Sequence, residues 1–292
     1  KVARAATGRP GIMCFEGAFH GRTHFAMSLT HRQSPYKDGF GPFSPDVHRV
    51  PYPGLDRTTI DEFRGAATEL LQRGSIAAAI VEPVLGEGGV IVPPDSFLQI
   101  LGELCGQFGA LLVVDEIQTG FGRTGRFLAS QHTAADPDLI LLGKSIASGL
   151  PLSAVAGKAA ILQKLDRHSL GGTYVGNPVA CAAGMAVLDV LEQERLIERA
   201  CPIGDRLVQA WREVAEGDIR IKGVRGRGAM VGVTFRSADE ANRIVAAAAS
   251  RGVLVTTAGL RGNVVRHLPP LVLTDDQLEE AIVALKLAVR EC

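Results

Sequence analysis

The chain has 292 residues, 46% of them hydrophobic, enough to bury one substantial core and a smaller second one. Its 31 basic and 31 acidic side chains cancel, so the charge balance gives no reason to expect nucleic acid or an anionic membrane as partner, and no run approaches the length of an apolar membrane span. A small-molecule partner is the expectation that remains.

The first residues, KVARAATGRPG, read as the end of a helix, with neither an initiator methionine nor the layout of a signal peptide; the expectation is that an amino-terminal part is missing. Short apolar runs follow in GIMCF (11–15), SIAAAIVEPV (75–84), LLVVD (111–115), DLILLG (138–143) and LSAVAG (152–157), with the helix-like FLQILGELCGQF (97–108) between two of them. Continuous apolar strands alternating with helices predict an α/β domain whose mainly parallel sheet is covered by helices on both faces. From 177 to about 199 the pattern predicts one long alanine-rich helix, opened by a proline in its first turn. Beyond it, RGRG (225–228) reads as a turn, and the strands AMVGVTF and NVVRHL stand among two amphipathic helical segments, which predicts a smaller α+β domain. The expected division is 1–199 for the large domain with its connecting helix and 200–292 for the small one. Cys14, Cys105, Cys181, Cys201 and Cys292 are odd in number and form no CxxC pair, so a disulfide framework or structural zinc is not expected and a reducing, cytoplasmic compartment is.

Ligands of open parallel sheets sit beyond the carboxyl ends of the strands, and Glu82, Asp115 and Lys144 each stand at or near such an end. One reading is an ion pair that caps loops. The other begins from the setting of Lys144, after LILLG and before SIASG: in an apolar pocket a lysine loses its preference for the charged form and can attack a carbonyl to form a Schiff base. A carboxylate such as Asp115 could then keep the pyridine nitrogen of pyridoxal 5'-phosphate protonated. GRTG (122–125) lacks the full arrangement of a phosphate-binding P-loop.

The segments GAFHGRT (17–23), VEPVLGEGG (81–89), VVDEIQTGFGRTG (113–125), LLGKSIASG (141–149), GGTYVGNPVACAA (171–183) and NVVRHLPPL (263–271) span nearly the whole chain. In this order they resemble the class III, fold type I pyridoxal-phosphate aminotransferases, most closely the 4-aminobutyrate aminotransferases. The resemblance implies that Lys144 holds the cofactor and shuttles a proton, that Asp115 pairs with the pyridine nitrogen, that Gln118 bonds the ring hydroxyl, and that Phe19 and Ile117 sandwich the ring. It implies that Thr173 reaches the cofactor phosphate of a neighbouring subunit, hence a homodimer. It further implies that Arg22 and Arg266 hold the distal and the α-carboxylate of substrates, and that Glu87 neutralises Arg266 when an ω-amino acid is bound. The reaction so implied moves an amino group from 4-aminobutyrate to 2-oxoglutarate. Leu85 stands where close relatives commonly have glutamine, and the family's phosphate-binding Ser/Gly-Ala turn lies before the point where this sequence starts. Other expectations left open are an acetylornithine, ornithine or other ω-aminotransferase, a racemase of the same fold, and a truncated, inactive binding or dimerisation module.

Overall fold

The computed structural model describes residues 1–292. Its first half runs α1 (Val2–Thr7), β1 (Gly11–Phe15), α2 (His24–Leu29), β2 (Val47–Val50), α3 (Ile60–Gln72), β3 (Ile76–Val81), α4 (Phe97–Phe108) and β4 (Leu111–Asp115). There follow β5 (Leu139–Leu142), β6 (Ala154–Gly157), α5 (Ala159–Leu162), α6 (Pro178–Gln193) and α7 (Leu196–Gly217). The chain closes with β7 (Ile221–Arg227), β8 (Met230–Phe235), α8 (Ala238–Ala249), β9 (Thr256–Ala258), β10 (Val264–His267) and α9 (Asp275–Glu291).

Six strands form the large sheet in the order β2-β1-β3-β4-β5-β6, parallel from β2 through β5. Alternate residues serve opposite faces, as the pleat requires. Met13 and Phe15 pack with Phe63 and Leu70 of α3 and Phe97 and Leu101 of α4, whereas Ile12 and Cys14 pack with Val2 and Ala3 of α1. The Phe15 ring meets Tyr52, Phe63 and Phe97 at centroid distances of 5.8, 6.0 and 5.5 Å. Each such aromatic burial stabilises by roughly 2–3 kcal/mol and fixes β1, from whose end the site loop departs. Helix α4 ends at Gly109, whose φ of 65° turns the chain back into β4.

The small sheet, β7-β8-β10-β9, is antiparallel throughout. Its inner face (Val231, Val233, Phe235, Val265) packs with α7, α8 and α9 around Trp211.

The large sheet is mainly parallel, as expected, with one antiparallel edge, and two other expectations need correction. The last strand of the large sheet, LSAVAG, is antiparallel: the connection from β5 to β6 holds only a short 3-10 turn (Lys144–Ala147) and no crossover α-helix to return the chain in parallel, and β6 pairs with β5 from Leu139–Gly157 to Leu142–Ala154. The helix expected over 177–199 is two helices, because Arg195 adopts a left-handed φ of 51° between them. RGRG is not a turn before a strand: Arg225 to Arg227 belong to β7, and the hairpin turn is Gly228–Ala229.

Candidate active site

Because β1, β3, β4 and β5 run parallel, their carboxyl ends open on one edge of the sheet, and the residues just past those ends converge there. A cavity of about 220 Å³ is lined by Phe19, His20 and Gly21 from the loop after β1, Glu82 after β3, Asp115, Ile117 and Gln118 at the end of β4, and Lys144 after β5. The three groups singled out at strand ends thus share one cavity. Lys144 forms no ion pair with either acid, so the loop-capping ion pair is not what brings them together.

Lys144 opens a short 3-10 turn with a φ of 47°, a left-handed conformation that a side-chain-bearing residue adopts only under local strain. Its side chain is reachable from the open cleft. The surrounding protein nevertheless displaces enough water to hold its amine below the ordinary lysine range, against the opposing pull of Glu82 and Asp115.

Asp115 is buried and doubly bound: Oδ1 accepts the Ile117 backbone N–H at 3.1 Å, and Oδ2 lies 2.8 Å from His20 Nδ1. Burial alone would lower the His20 pKa, but the hydrogen bond and charge of Asp115 outweigh it and raise the value above that of a free histidine. Asp115 is therefore anchored from two sides, with the His20 imidazole behind it, while His20 Nε2 is buried without a partner. Glu82 accepts backbone N–H groups from Phe19 at 2.8 Å and Gly86 at 3.0 Å, and burial pushes its carboxyl up to about 7. It fastens the loop after β1 to the loop after β3. Glu116, next to Asp115, faces elsewhere: fully buried, it accepts from Thr119 Oγ1 and from the backbone N–H groups of Ala129 (3.0 Å) and Ser130 (2.7 Å).

A second group adjoins the cavity through Gln118. Arg266 Nη1 donates to Glu87 Oε1 at 2.7 Å and to Gln118 Oε1 at 3.3 Å, and Nη2 reaches Thr256 Oγ1 at 3.4 Å. Arg266 Nε is buried and unpartnered, a spare donor on a charged group. Tyr36 O–H donates to Glu87 Oε2 at 3.4 Å, its ring lies 5.0 Å from that of Phe19, and the exposed Arg22 guanidinium stands 4.9 Å over it.

The structure thus brings together Phe19, Asp115, Ile117, Gln118 and Lys144, with Glu87, Arg266 and Arg22 linked to them through Gln118 and Tyr36. Thr173 lies in an exposed loop and does not line its own chain's cavity. GRTG is a packed loop, with the buried Thr124 held by His132 Nε2 at 3.0 Å from its carbonyl oxygen. Tyr36 was not picked out from sequence, because its loop, SPYKDGFGPF, has no periodicity and no ligand-like spacing.

The family model described as aminotransferase class-III matches residues 1–289. The 4-aminobutyrate aminotransferase of Mycobacterium leprae is 41% identical over 302 residues, covering 97% of this chain and 68% of that protein. The 5-aminovalerate aminotransferase DavT of Pseudomonas aeruginosa is 42% identical over 298 residues, covering 98% and 70%. Among solved structures, the ornithine aminotransferase of Toxoplasma gondii, with partial occupancy of PLP at its active site, superposes with a TM-score of 0.90 at 35% identity, covering 99% of this chain and 68% of that one.

Proposed function

The chain belongs to the class-III aminotransferases, and from that premise we propose that it transfers the amino group of an ω-amino acid, 4-aminobutyrate, to 2-oxoglutarate, giving succinate semialdehyde and glutamate. The layout is that of the fold type I enzymes, and the cofactor is pyridoxal 5'-phosphate. The residues present fit that group: an amine with a lowered pKa and an anchored carboxylate line one cavity together with an aromatic ring and a glutamine.

When bound, the cofactor supplies a carbonyl carbon that condenses with amines and a ring that withdraws electrons while its nitrogen is protonated. Lys144 Nζ would hold that carbon, and as a free amine would carry a proton between the substrate carbon and the cofactor. Asp115, backed by His20 and the Ile117 N–H, would hold the proton at the ring nitrogen. Phe19 and Ile117 would flank the ring, Gln118 would bond its hydroxyl, and Thr173 would serve the phosphate of a neighbouring subunit. Arg22 takes the distal carboxylate, and Arg266 takes an α-carboxylate when one is present. With a donor that lacks it, Glu87 neutralises Arg266.

The observation that carries the reading is the 2.7 Å Glu87–Arg266 pair next to the Lys144 and Asp115 cavity, since it satisfies an arginine that must otherwise find a substrate carboxylate. A five-carbon ω-amino acid is the second reading, favoured by the 42% identity to the 5-aminovalerate enzyme. A homodimer belongs to the proposal, supported by the exposed Tyr174, Val175, Val179 and Met185. The five free cysteines support a cytoplasmic location. The division at 1–199 and 200–292 is likewise proposed, supported by the two separate sheets.

The test is the absorbance spectrum of the holoenzyme before and after addition of 4-aminobutyrate. Loss of the visible band with release of succinate semialdehyde, and its return with 2-oxoglutarate as glutamate forms, is the expected result. A band moved by 5-aminovalerate and not by 4-aminobutyrate transfers the assignment to the second reading.

A further inference from the structure

The segment 86–90, Gly-Glu-Gly-Gly-Val, carries Glu87 on a chain with three glycines and little side chain with which to fix itself. It lies on the small sheet at Gly232, where an added Cβ would come within 2.9 Å of Val90 Cβ and 3.2 Å of the Gly89 carbonyl oxygen. On β8, Gly232 is the register partner of Arg225 on β7 and equally of Arg266 on β10. Residues directly opposite one another in antiparallel strands share a face, so the two arginines flank the seat from either side. Arg266 holds the Glu87 carboxylate. Arg225 holds the backbone: Nε donates to Gly89 O at 3.1 Å and Val90 O at 2.9 Å, and Nη2 donates to Gly89 O at 2.5 Å. Its Nη1 donates to Thr234 Oγ1 at 2.6 Å, which fixes the guanidinium to β8. No carboxylate pairs with Arg225, so its hydrogen-bonding capacity goes to this loop and to the strand beneath. Gly259 completes the seat by donating its N–H to the Glu87 carbonyl at 2.9 Å.

Resting on the function proposed above, we propose that Arg225 is a positioning residue that seats the 86–90 loop so that Glu87 meets Arg266, and thereby sets the preference for amino donors without an α-carboxylate. Arg225 touches neither cavity nor substrate. Its influence runs through the backbone of Gly89 and Val90 to Glu87. A donor with a single carboxylate depends on Glu87 to neutralise Arg266, whereas glutamate supplies its own α-carboxylate and needs Glu87 to move aside. Loosening the seat should therefore harm one half-reaction and spare the other.

The experiment compares wild-type, Arg225→Met and Arg225→Lys holoenzymes in single half-reactions with 4-aminobutyrate and with glutamate, alongside amide hydrogen exchange across 86–90. On losing charge-assisted bonds to the loop, Arg225→Met should react with 4-aminobutyrate about tenfold more slowly relative to glutamate, with faster exchange at Gly89 and Val90. Arg225→Lys should recover part of both. Gly232→Ala, which crowds the seat from below, should shift the ratio in the same direction. Equal slowing with both amines, or wild-type exchange at 86–90 in Arg225→Met, overturns the seating role. A wild-type enzyme that reacts with neither amine overturns the function itself and the substrate preference that rests on it, and that outcome is seen before any variant is compared.

Discussion

Glu87 Oε1 stands 2.7 Å from Arg266 Nη1, so the loop after β3 and strand β10 are joined by an ion pair whose side chains are 24% and 9% exposed. So sheltered a pair is screened less than a surface bridge, and breaking it leaves a buried guanidinium without its carboxylate. Glu87→Gln keeps the shape and removes the charge. The half-reaction with 4-aminobutyrate should slow by about tenfold or more, the order of one charge-assisted hydrogen bond, while glutamate is used at an undiminished rate. Stopped-flow measurement of each half-reaction separates the two, and equal losses would refute a switch at this pair.

Lys144 and Asp115 line the same cavity but should fail differently when changed. Lys144→Ala removes the amine proposed to hold the cofactor and carry the proton, and turnover should fall about a thousandfold or more with loss of the visible band of lysine-bound cofactor. Asp115→Asn leaves a hydrogen-bonding group of the same size, so cofactor should be retained while turnover drops about a hundredfold. Retention is read by equilibrium dialysis and turnover by coupled assay. Unchanged turnover in Lys144→Ala would end the mechanism.

Much of this was legible in the sequence because the signals were local. GIMCF and LLVVD are strands over the expected residues, and the run of apolar residues ending in Asp115 delivered its carboxylate to the expected edge. The misses were of two kinds. The break at Arg195 has no glycine or proline to mark it, and RGRG looks like a turn until β8 pairs with it. In both cases tertiary partners overrode local propensity. Long-range relations were the other kind: nothing in the spacing says that Tyr36 will reach Glu87, or that Arg225 and Arg266 will both face Gly232. Of the adjacent acids, Asp115 was the one expected at the cavity, and the fold adds where Glu116 goes, into the buried contacts with Thr119, Ala129 and Ser130.

Glu82 makes stability depend on pH in a direction opposite to the usual carboxylate. Its folded pKa of about 7 lies above the ordinary 4.5, so between these values the folded protein keeps a proton that the unfolded chain has lost. Folding there is linked to proton uptake, and the contribution is complete below pH 4.5 and lost as pH rises through 7. His20, raised above 6.5, acts in the same sense, fully favourable below 6.5 and lost as pH climbs past its folded value. Urea unfolding of the apoprotein from pH 4.5 to 8 should show a Glu82-dependent fall on the order of 3 kcal/mol. In Glu82→Gln the part between 4.5 and 7 should vanish and the histidine part remain. A parallel pH profile for both proteins would remove Glu82 from the linkage.

Glu116 should matter to stability more than to chemistry. Its carboxylate is wholly buried and joins Thr119 to the backbone N–H groups of Ala129 and Ser130, closing the long loop that leaves Asp115, Ile117 and Gln118. Glu116→Ala strands two buried N–H donors and a hydroxyl, each costing on the order of 1–3 kcal/mol, for a total loss of about 3 kcal/mol or more. Glu116→Gln retains one acceptor oxygen and sets an amide nitrogen against the remaining donors, so it should fall between the two. Denaturant midpoints of the apoprotein measure the loss directly. Since the loop begins at the cavity-lining Ile117 and Gln118, proposed to contact the cofactor ring, the Ala variant should also release cofactor faster at temperatures where its apoprotein is still folded. A variant equally destabilised at a site remote from the loop, if it releases cofactor as fast, would show that global stability and not the loop controls retention.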